Sequence, residues 1–389
     1  MKYLKYLSII LYCFVSVGCG SQSDELDLNN TENTNPPIHP LGDNPEICSN
    51  TDIDNTVNWE ALENEYCYKL SNFNLFDNFS NISITPKLPG LSYELNSELF
   101  TDHARKYRFL FIPENEKITY NELEAFTFPI GSTLVKVFSL PSDTSSEDEE
   151  VIEVRLLVRR INGWVTLVYK WIPEFSEGYF TVAGDIIESV VSHNGVANAF
   201  DYRIPTFGQC ATCHQNNANE AKITPIGLKA RHLNRNITYN NLEINQLTLW
   251  NSLEIINNLP SDITSIDTAP NWRDSSKELQ DRAKAYLDIN CAHCHTEGGS
   301  GDLSGLRMEY WRKTIDYSHG VCNESQGWRV GGYDIWPGRG DVSHIPLRIT
   351  LTSAKDRMPP IGRSLVDSEA AQLISDWIDT LPYRECGGS

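Results

Sequence analysis

The sequence predicts an α+β multidomain protein in which a β-sandwich-like domain precedes a mainly α-helical region. Three observations lead to this fold class. Short runs rich in β-branched and aromatic residues, separated by turn signals, fill residues 86–205. After about residue 207 the apolar residues recur with a helical period, and the last such segment is an amphipathic helix before Pro382. The first 47 residues show neither pattern, so we expect no folded core there.

A hairpin is the clearest element of the predicted β-domain. Residues 151–160 alternate and are rich in β-branched side chains, and residues 164–171 do the same after the Asn162-Gly163 turn. A further strand is predicted over residues 134–138, and no helical period of useful length occurs nearby. A β-sandwich is therefore expected within the β-rich domain at residues 48–205.

Helices are predicted over residues 242–258, over residues 275–289 and near the C-terminus. The terminal helix has a continuous apolar stripe, with Asp367 as its N-cap. The chain after the β-domain is therefore divided into a segment at residues 206–274 and a helical domain at residues 275–389.

The N-terminus has the pattern of an export signal. Lys2 and Lys5 precede an apolar run that is too short to span a membrane, so residues 1–18 are predicted to be a signal peptide. Cys19 follows a small residue, as at a lipoprotein cleavage site, and is the predicted lipidated residue. An ordinary signal peptide followed by an incidental cysteine is the alternative. Residues 19–47 are polar and rich in turn formers, which predicts a disordered tether.

The chain is strongly acidic. Its formal charge is −20, and loss of the predicted signal peptide, which carries two lysines and no acid, changes this to −22. Such a surface argues against nucleic acid as a partner, because phosphates would be repelled. It favours a redox partner with a basic docking surface, although solubility alone is the simpler explanation.

Two copies of Cys-x-x-Cys-His, at residues 210–214 and 291–295, are the strongest functional signal. This spacing serves covalent attachment of haem, in which two thiols add to the vinyl groups and the adjacent histidine binds the iron. Two copies behind an export signal predict a c-type cytochrome with two covalently bound haem c groups. The attachment residues are Cys210, Cys213, Cys291 and Cys294, and the proximal iron ligands are His214 and His295. Zinc knuckles built from the same residue types are the alternative.

Met358 is the predicted distal ligand of the second haem. It lies in an Arg-Met-Pro-Pro-Ile-Gly stretch just before the terminal helix, where prolines would hold the thioether towards the iron. Residues 275–389 therefore have the pattern of a class I cytochrome c domain. Packing in a core is the alternative for Met358. His293, inside the second motif, is expected to face away from the haem as a surface residue.

The distal ligand of the first haem is less well defined. His232 is the only histidine between the two motifs and is a candidate, with a surface histidine as the equal alternative. Met308 is a second candidate that fits packing better. The weaker candidates are His193, His319, His344 and Lys229. A further option is that no protein group binds this iron, which would leave it open to peroxide or a small gas.

Four cysteines remain once the signal peptide, the lipidation site and the haem motifs are assigned. An even remainder in an oxidising compartment suggests disulfides, for which three connectivities are possible. We predict Cys48–Cys67 as a local pair and Cys322–Cys386 as a clip for the chain end.

The combination of motifs resembles an uncharacterised family of bacterial dihaem c-type cytochromes, many of which are lipoproteins. Both haem motifs carry the resemblance, together with residues 93–100, 106–109, 163–165 and 357–363. It implies a β-rich N-terminal domain, haem-binding segments and a role in electron transfer, but no substrate. Residues 128–136 are also similar to a segment of small β-sheet cytochromes of the hydroxylamine-oxidising type, in which a sheet packs against the haem.

The leading hypothesis is an exported dihaem c-type cytochrome that transfers electrons between redox partners. A lipid anchor would tether it to a membrane as a periplasmic or outer-membrane lipoprotein, and we expect an electron-transfer protein more than a catalyst. The alternative is a dihaem peroxidase-like oxidoreductase, in which the second haem feeds electrons to an open first haem. A weaker hypothesis makes the β-domain a binding module for a partner protein or glycan.

Overall fold

The structure is a computed structural model that describes residues 41–49, 56–217, 222–325, 328 and 331–387. The predicted signal peptide, Cys19 and most of the predicted tether lie outside these residues. From residue 41 onward the described chain belongs to one compact unit. Within it, no helix is both long enough and apolar enough to cross a membrane.

Strands and short helices alternate along the described chain. The strands β1 to β16 are, in order, Phe76–Ser80, Ser83–Pro86, Leu91–Ser92, Arg105–Phe111, Ile118–Thr119, Thr133–Pro141, Glu149–Arg160, Gly163–Ile172, Glu177–Phe180, Asp185–His193, Val196–Ile204, Gln215–Asn217, Lys222–Ile223, Asn236–Tyr239, Leu242–Asn245 and Ile256–Asn257. The α-helices α1 to α8 are Pro45–Cys48, Trp59–Asn64, Phe207–His214, Ala230–Leu233, Gln246–Ser252, Leu279–Asn290, His344–Thr350 and Ser368–Thr380. Short 3₁₀ helices occupy Leu70–Phe73, Pro173–Phe175, Ile263–Ser265, Asp302–Ser304, Tyr317–His319 and Gly340–Val342.

A six-stranded antiparallel sheet, in the order β3-β4-β6-β7-β8-β9, is the centre of the fold. The other pairings join two strands each: β1-β2, β10-β11, β12-β13, β14-β15 and the parallel pair β5-β16. The predicted hairpin is confirmed as β7-β8, in which Arg160 pairs with Gly163. Gly163 has a φ of 129°, which an L-residue with a side chain rarely adopts.

The two faces of the sheet are covered by different parts of the chain. One face packs against the segment that precedes β1, including Leu62 and Phe73. The other face, called the motif face below, contacts two apolar clusters, one around Trp250 and one around Tyr202. Cys210 of the first motif belongs to the Tyr202 cluster, and α3 contacts β8. The first Cys-x-x-Cys-His motif therefore lies against the motif face.

The predicted fold class is wrong in two respects. One sheet with attached hairpins replaces the β-sandwich, and the described chain is mostly β-sheet, without a mainly helical cytochrome c region. Among the described residues after 206, only α6 and α8 exceed eight residues. The predicted helix at residues 242–258 is instead β15, α5 and β16. Asn245 caps α5, and Glu254 has a φ of 59°, so a continuous helix cannot pass these positions.

Two predicted helices have the expected type. The carboxylate of Asp367 accepts a hydrogen bond from the Ala370 amide at 3.2 Å and caps α8, as expected. Helix α6 begins at Leu279, four residues later than predicted, and ends at Asn290. It therefore leads directly into Cys291 of the second motif.

Both predicted disulfides are present. Cys48 and Cys67 close a loop with a sequence separation of 19, and Cys322 and Cys386 close one of 64. Cys48 and Cys67 are buried in the cluster on the face opposite the motif face. The second bond joins the C-terminal segment to the loop before α7.

Removal of either disulfide is expected to lower the free energy of unfolding. From the lengths of the two closed loops we expect a loss of about 3 kcal/mol for Cys48–Cys67 and about 4 kcal/mol for Cys322–Cys386, mainly because each bond restricts the unfolded chain. Denaturant titration of the two double Cys→Ala variants, each compared with the oxidised parent protein, measures these losses. Equal stability of parent and variants would contradict a structural role for the bonds.

Candidate functional site

The two Cys-x-x-Cys-His motifs lie side by side in the fold, although they are far apart in the sequence. The Cys294 sulfur lies 3.7 Å from the Thr212 carbonyl oxygen. Potential ligand atoms of Cys213, His293 and Cys294 lie within 4.8 Å of one another. The four cysteines of the motifs form no disulfide. The fold thus brings together the sulfur and nitrogen groups that the sequence assigns to two separate motifs.

The first motif is held by a capped helix and a hairpin. Thr206 and Gln209 form a capping box at the start of α3, and the β12-β13 hairpin then returns the chain to His214. The Thr224 carbonyl oxygen lies 2.8 Å from His214 Nδ1. A carbonyl only accepts hydrogen bonds, so Nδ1 carries the proton and Nε2 keeps its lone pair. This tautomer suits metal binding through Nε2.

The second motif presents its histidine in the same way. His295 Nδ1 lies 2.9 Å from the Ser304 hydroxyl oxygen, and that hydroxyl donates to the Gly301 carbonyl at 2.7 Å. The Ser304 proton is thereby used, so His295 Nδ1 is the donor and Nε2 keeps its lone pair. A Cβ at Gly301 would lie 2.9 Å from His295 Nδ1, which explains a glycine here.

Burial keeps both histidines neutral. Burial, followed by the charge of Lys136, lowers the pKa of His214 to about 3. Burial likewise lowers the pKa of His295 to about 4. A hydrogen bond between Cys213 and Cys294 lowers the pKa of the Cys294 thiol and raises that of Cys213. The site therefore offers neutral imidazoles and one readily formed thiolate near neutral pH.

A row of three cations crosses the motif face. The strand register pairs Arg108 with Lys136, and Lys136 with Arg155. Arg108 donates to Glu98 at 2.8 Å, and Arg155 donates to Glu153 at 2.9 Å. Among the residues that the structure describes, Lys136 has no hydrogen-bond or ion-pair partner. Burial, followed by the charges of Arg108 and Arg155, lowers the pKa of Lys136 to about 7.

Sequence reasoning did not assign Lys136 and His293 to the site. Lys136 shares its face of β6 with Leu134 and Phe138, and a lysine between two apolar positions of a strand was the available signal. His293 was expected to face away, yet it is half-buried beside the two cysteines, and its Nδ1 atom has no hydrogen-bond partner. No local pattern marks His293, because its position depends on the meeting of the motifs.

The proposed distal ligands of the first haem occupy separate environments. His232 is buried, and its Nε2 lies 2.5 Å from an Asp288 carboxylate oxygen, while Nδ1 has no partner. Met308 is buried in the same cluster as Trp377, and its amide donates to the His295 carbonyl at 3.1 Å. The weaker candidates lie near polar neighbours, namely His193 near Thr144, His319 near Asp316, His344 near Ser325 and Lys229 near Glu124.

Met358 is half-buried in a loop whose main chain is fixed on both sides. Its amide donates to the Arg348 carbonyl at 3.0 Å, and its carbonyl accepts from Arg363 Nε at 3.1 Å. The Arg348 charge also contributes to the lowered pKa of His295. These two hydrogen bonds use only main-chain atoms of Met358.

Asp288 connects the second motif to the chain that follows the first. Its carboxylate accepts two hydrogen bonds from Arg231, at 2.8 and 2.7 Å, and one from the Tyr310 amide at 3.0 Å. His232 completes the cluster, and the Arg231 and His232 contacts hold the pKa of Asp288 well below its usual range against the opposing effect of burial. Because Asp288 lies one turn before Cys291, this cluster sets the position of the second motif.

Comparisons with known proteins give no match: no family model, no curated protein and no solved structure matches this chain.

Asp288→Asn is expected to destabilise the fold by about 3 kcal/mol or more at pH 7, because it leaves the buried Arg231 charge without its counter-ion. The lowered pKa of Asp288 contributes stability above the unfolded carboxyl pKa of about 3.9, and this is lost as pH falls through the folded pKa. The difference between parent and variant should therefore shrink only below about pH 4.

Denaturant titrations at several pH values measure this difference. Asp281→Asn, on the first turn of the same helix, is the matched control and should cost less than about 1 kcal/mol. A loss at Asp288 no larger than that at Asp281 would rule out the structural role of the cluster.

Proposed function

We propose that the chain is an exported dihaem c-type cytochrome that passes electrons between redox partners. The observation that carries this proposal is the meeting of the two Cys-x-x-Cys-His motifs, in which Cys213 and Cys294 are neighbours. Thioether bonds join haem c at the edge of the ring, so two haems attached here would have adjacent edges. The rate of electron transfer between them would then be high, because this rate falls steeply with the distance between the ring edges.

The residues of both motifs suit the proposed cofactor. The four cysteines are free of disulfides, and His214 and His295 each keep an Nε2 lone pair for iron. When bound, haem supplies a one-electron couple whose potential depends on the axial ligands. Thr224 and Ser304 orient the two imidazoles by accepting their Nδ1 protons. Such partners set both the ligand geometry and its basicity.

The surroundings agree with an exported electron carrier. Two disulfides suit an oxidising compartment. The charge of −20 favours a partner with a basic docking surface and disfavours nucleic acid. A lipid on Cys19 would hold the protein at a membrane, with the polar segment after it as a tether.

The direct test is the haem content of the full-length protein made in a host that attaches haem c. We expect two covalent haems per chain by pyridine haemochrome assay and intact mass. Cys210→Ala with Cys213→Ala should leave one haem, and so should Cys291→Ala with Cys294→Ala. The matched control, Cys322→Ala with Cys386→Ala, removes two cysteines outside the motifs and should keep both. An exported, folded protein without covalent haem would overturn the proposal.

Met358 is proposed as the distal ligand of the second haem. Met358→Ala should abolish the charge-transfer band of the ferric thioether and lower the potential of one haem, because thioether ligation raises it. Met308→Leu is the control, since Met308 packs in the core, and it should leave the band unchanged. An unchanged band in Met358→Ala would remove the assignment.

A second candidate function is a zinc-type site shared by the motifs. It is favoured by the approach of Cys213, His293 and Cys294, whose residue types are those of structural zinc sites. This site would use one cysteine from each motif and would therefore exclude complete attachment of both haems. Metal analysis of the haem-free protein distinguishes the two, because bound zinc that is lost in His293→Ala would support it.

The peroxidase-like alternative requires an open first iron. It is favoured by the contact of His232 Nε2 with Asp288, which takes up one of the two ring nitrogens that could bind the iron. A five-coordinate, high-spin signal of one haem by EPR would support this alternative. Two low-spin haems would support an electron carrier.

A further inference from the structure

The first motif packs against the motif face of the sheet, where Lys136 has no partner among the residues that the structure describes. Cys210 packs in one cluster with Phe138 of β6 and Val168 of β8. Phe138 and Lys136 are two residues apart on β6 and therefore share a face. Val168 pairs with Arg155, which pairs with Lys136. The part of the motif face that lies against the first motif therefore includes Lys136, which lies between Arg108 of β4 and Arg155 of β7.

The charge of Lys136 acts on the ligand groups of the first motif. Its charge is the largest single charge acting on the His214 imidazole, and it also acts on the Cys213 thiol. The α3 helix carries both cysteines and the histidine of the first motif, Cys210 packs against the motif face, and α3 contacts β8 of the same sheet. A group of the sheet that binds the iron of a haem held by α3 would therefore come from the motif face.

The other groups on this face are unsuitable as iron ligands. Arg108 and Arg155 stay protonated and have no lone pair to donate, and each is paired with a carboxylate. Lys106 lies on the same face, and its Nζ donates to the Ala104 carbonyl at 2.9 Å. Lys136 has a flexible side chain and no partner among the described residues.

We propose that the Lys136 amine is the distal ligand of the first haem iron, an inference that rests on the function proposed above. On binding, the ammonium group releases one proton to solvent, and the freed lone pair forms the bond to iron without a change in oxidation state. Coordination by His214 and Lys136 closes this iron to peroxide. Two nitrogen ligands also give it a lower potential than a haem with a methionine ligand.

The cation row supports the same assignment. Like charges directly opposite each other on neighbouring strands are destabilising, and Lys136 lies between two arginines. Arg108 and Arg155 are compensated by Glu98 and Glu153, whereas Lys136 has no such carboxylate. An amine bound to iron is neutral, so ligation removes the uncompensated positive charge of Lys136 from the row.

The test compares Lys136→Ala and Lys136→Arg in the full-length holoprotein. Arginine keeps the positive charge but cannot bind iron, so both variants should convert one haem from low-spin to high-spin by EPR. Lys136→Met should restore a low-spin first haem with a higher potential and add a second thioether band. Lys170→Ala is the matched control, because Lys170 lies on the same face but pairs with Asp185 at 2.5 Å, and it should resemble the parent.

Pyridine haemochrome assay and far-ultraviolet circular dichroism accompany each variant. Two covalent haems, two low-spin signals and unchanged potentials in Lys136→Ala would overturn the ligand assignment while leaving the proposed function intact. A high-spin signal in Lys136→Ala but not in Lys136→Arg would also overturn it, because charge alone would then explain the effect. Absence of covalent haem from the parent protein would instead overturn the proposed function.

Discussion

The buried carboxylate of Asp288 is the contact on which the arrangement of the site depends. It binds Arg231 and His232, which follow the first motif, and it lies on α6, which leads into the second. The α6 helix is also tied to the sheet region by Asn290, whose side-chain oxygen accepts the Phe100 amide at 2.7 Å. These two contacts hold the start of the second motif against the rest of the fold. The closeness of the motifs is therefore a property of the tertiary structure and not of either motif alone.

Local elements of this fold were predictable because their signals are short. The β7-β8 hairpin, the Asp367 cap and the two disulfides each depend on a few neighbouring residues or on counting cysteines. The fold class was not predictable in the same way. Glu254 and Asn258, which both have positive φ, break the apolar period at residues 242–258. Between α6 and α7 the described residues form only short 3₁₀ helices, so the predicted helical domain is interrupted there.

The site shows the same division. The motif cysteines and histidines can be identified from spacing alone, although their cofactor remains a proposal. The places of His293 and Lys136 could not be derived from spacing, because they follow from the contact between motifs and from cross-strand register. A lysine on an apolar strand face is a weak signal in the sequence, and only its neighbours across the sheet give it meaning.

The approach of Cys213 to Cys294 has a consequence for biogenesis. Oxidising conditions that form the Cys48–Cys67 disulfide would also expose these two thiols to oxidants, and the completed fold holds them close together. A bond between them would consume one attachment point of each haem at once. If haem c is attached as proposed, thioether formation would compete with thiol oxidation during maturation. Attachment of the first haem before the second motif is synthesised and docked would then remove the competing thiol in time.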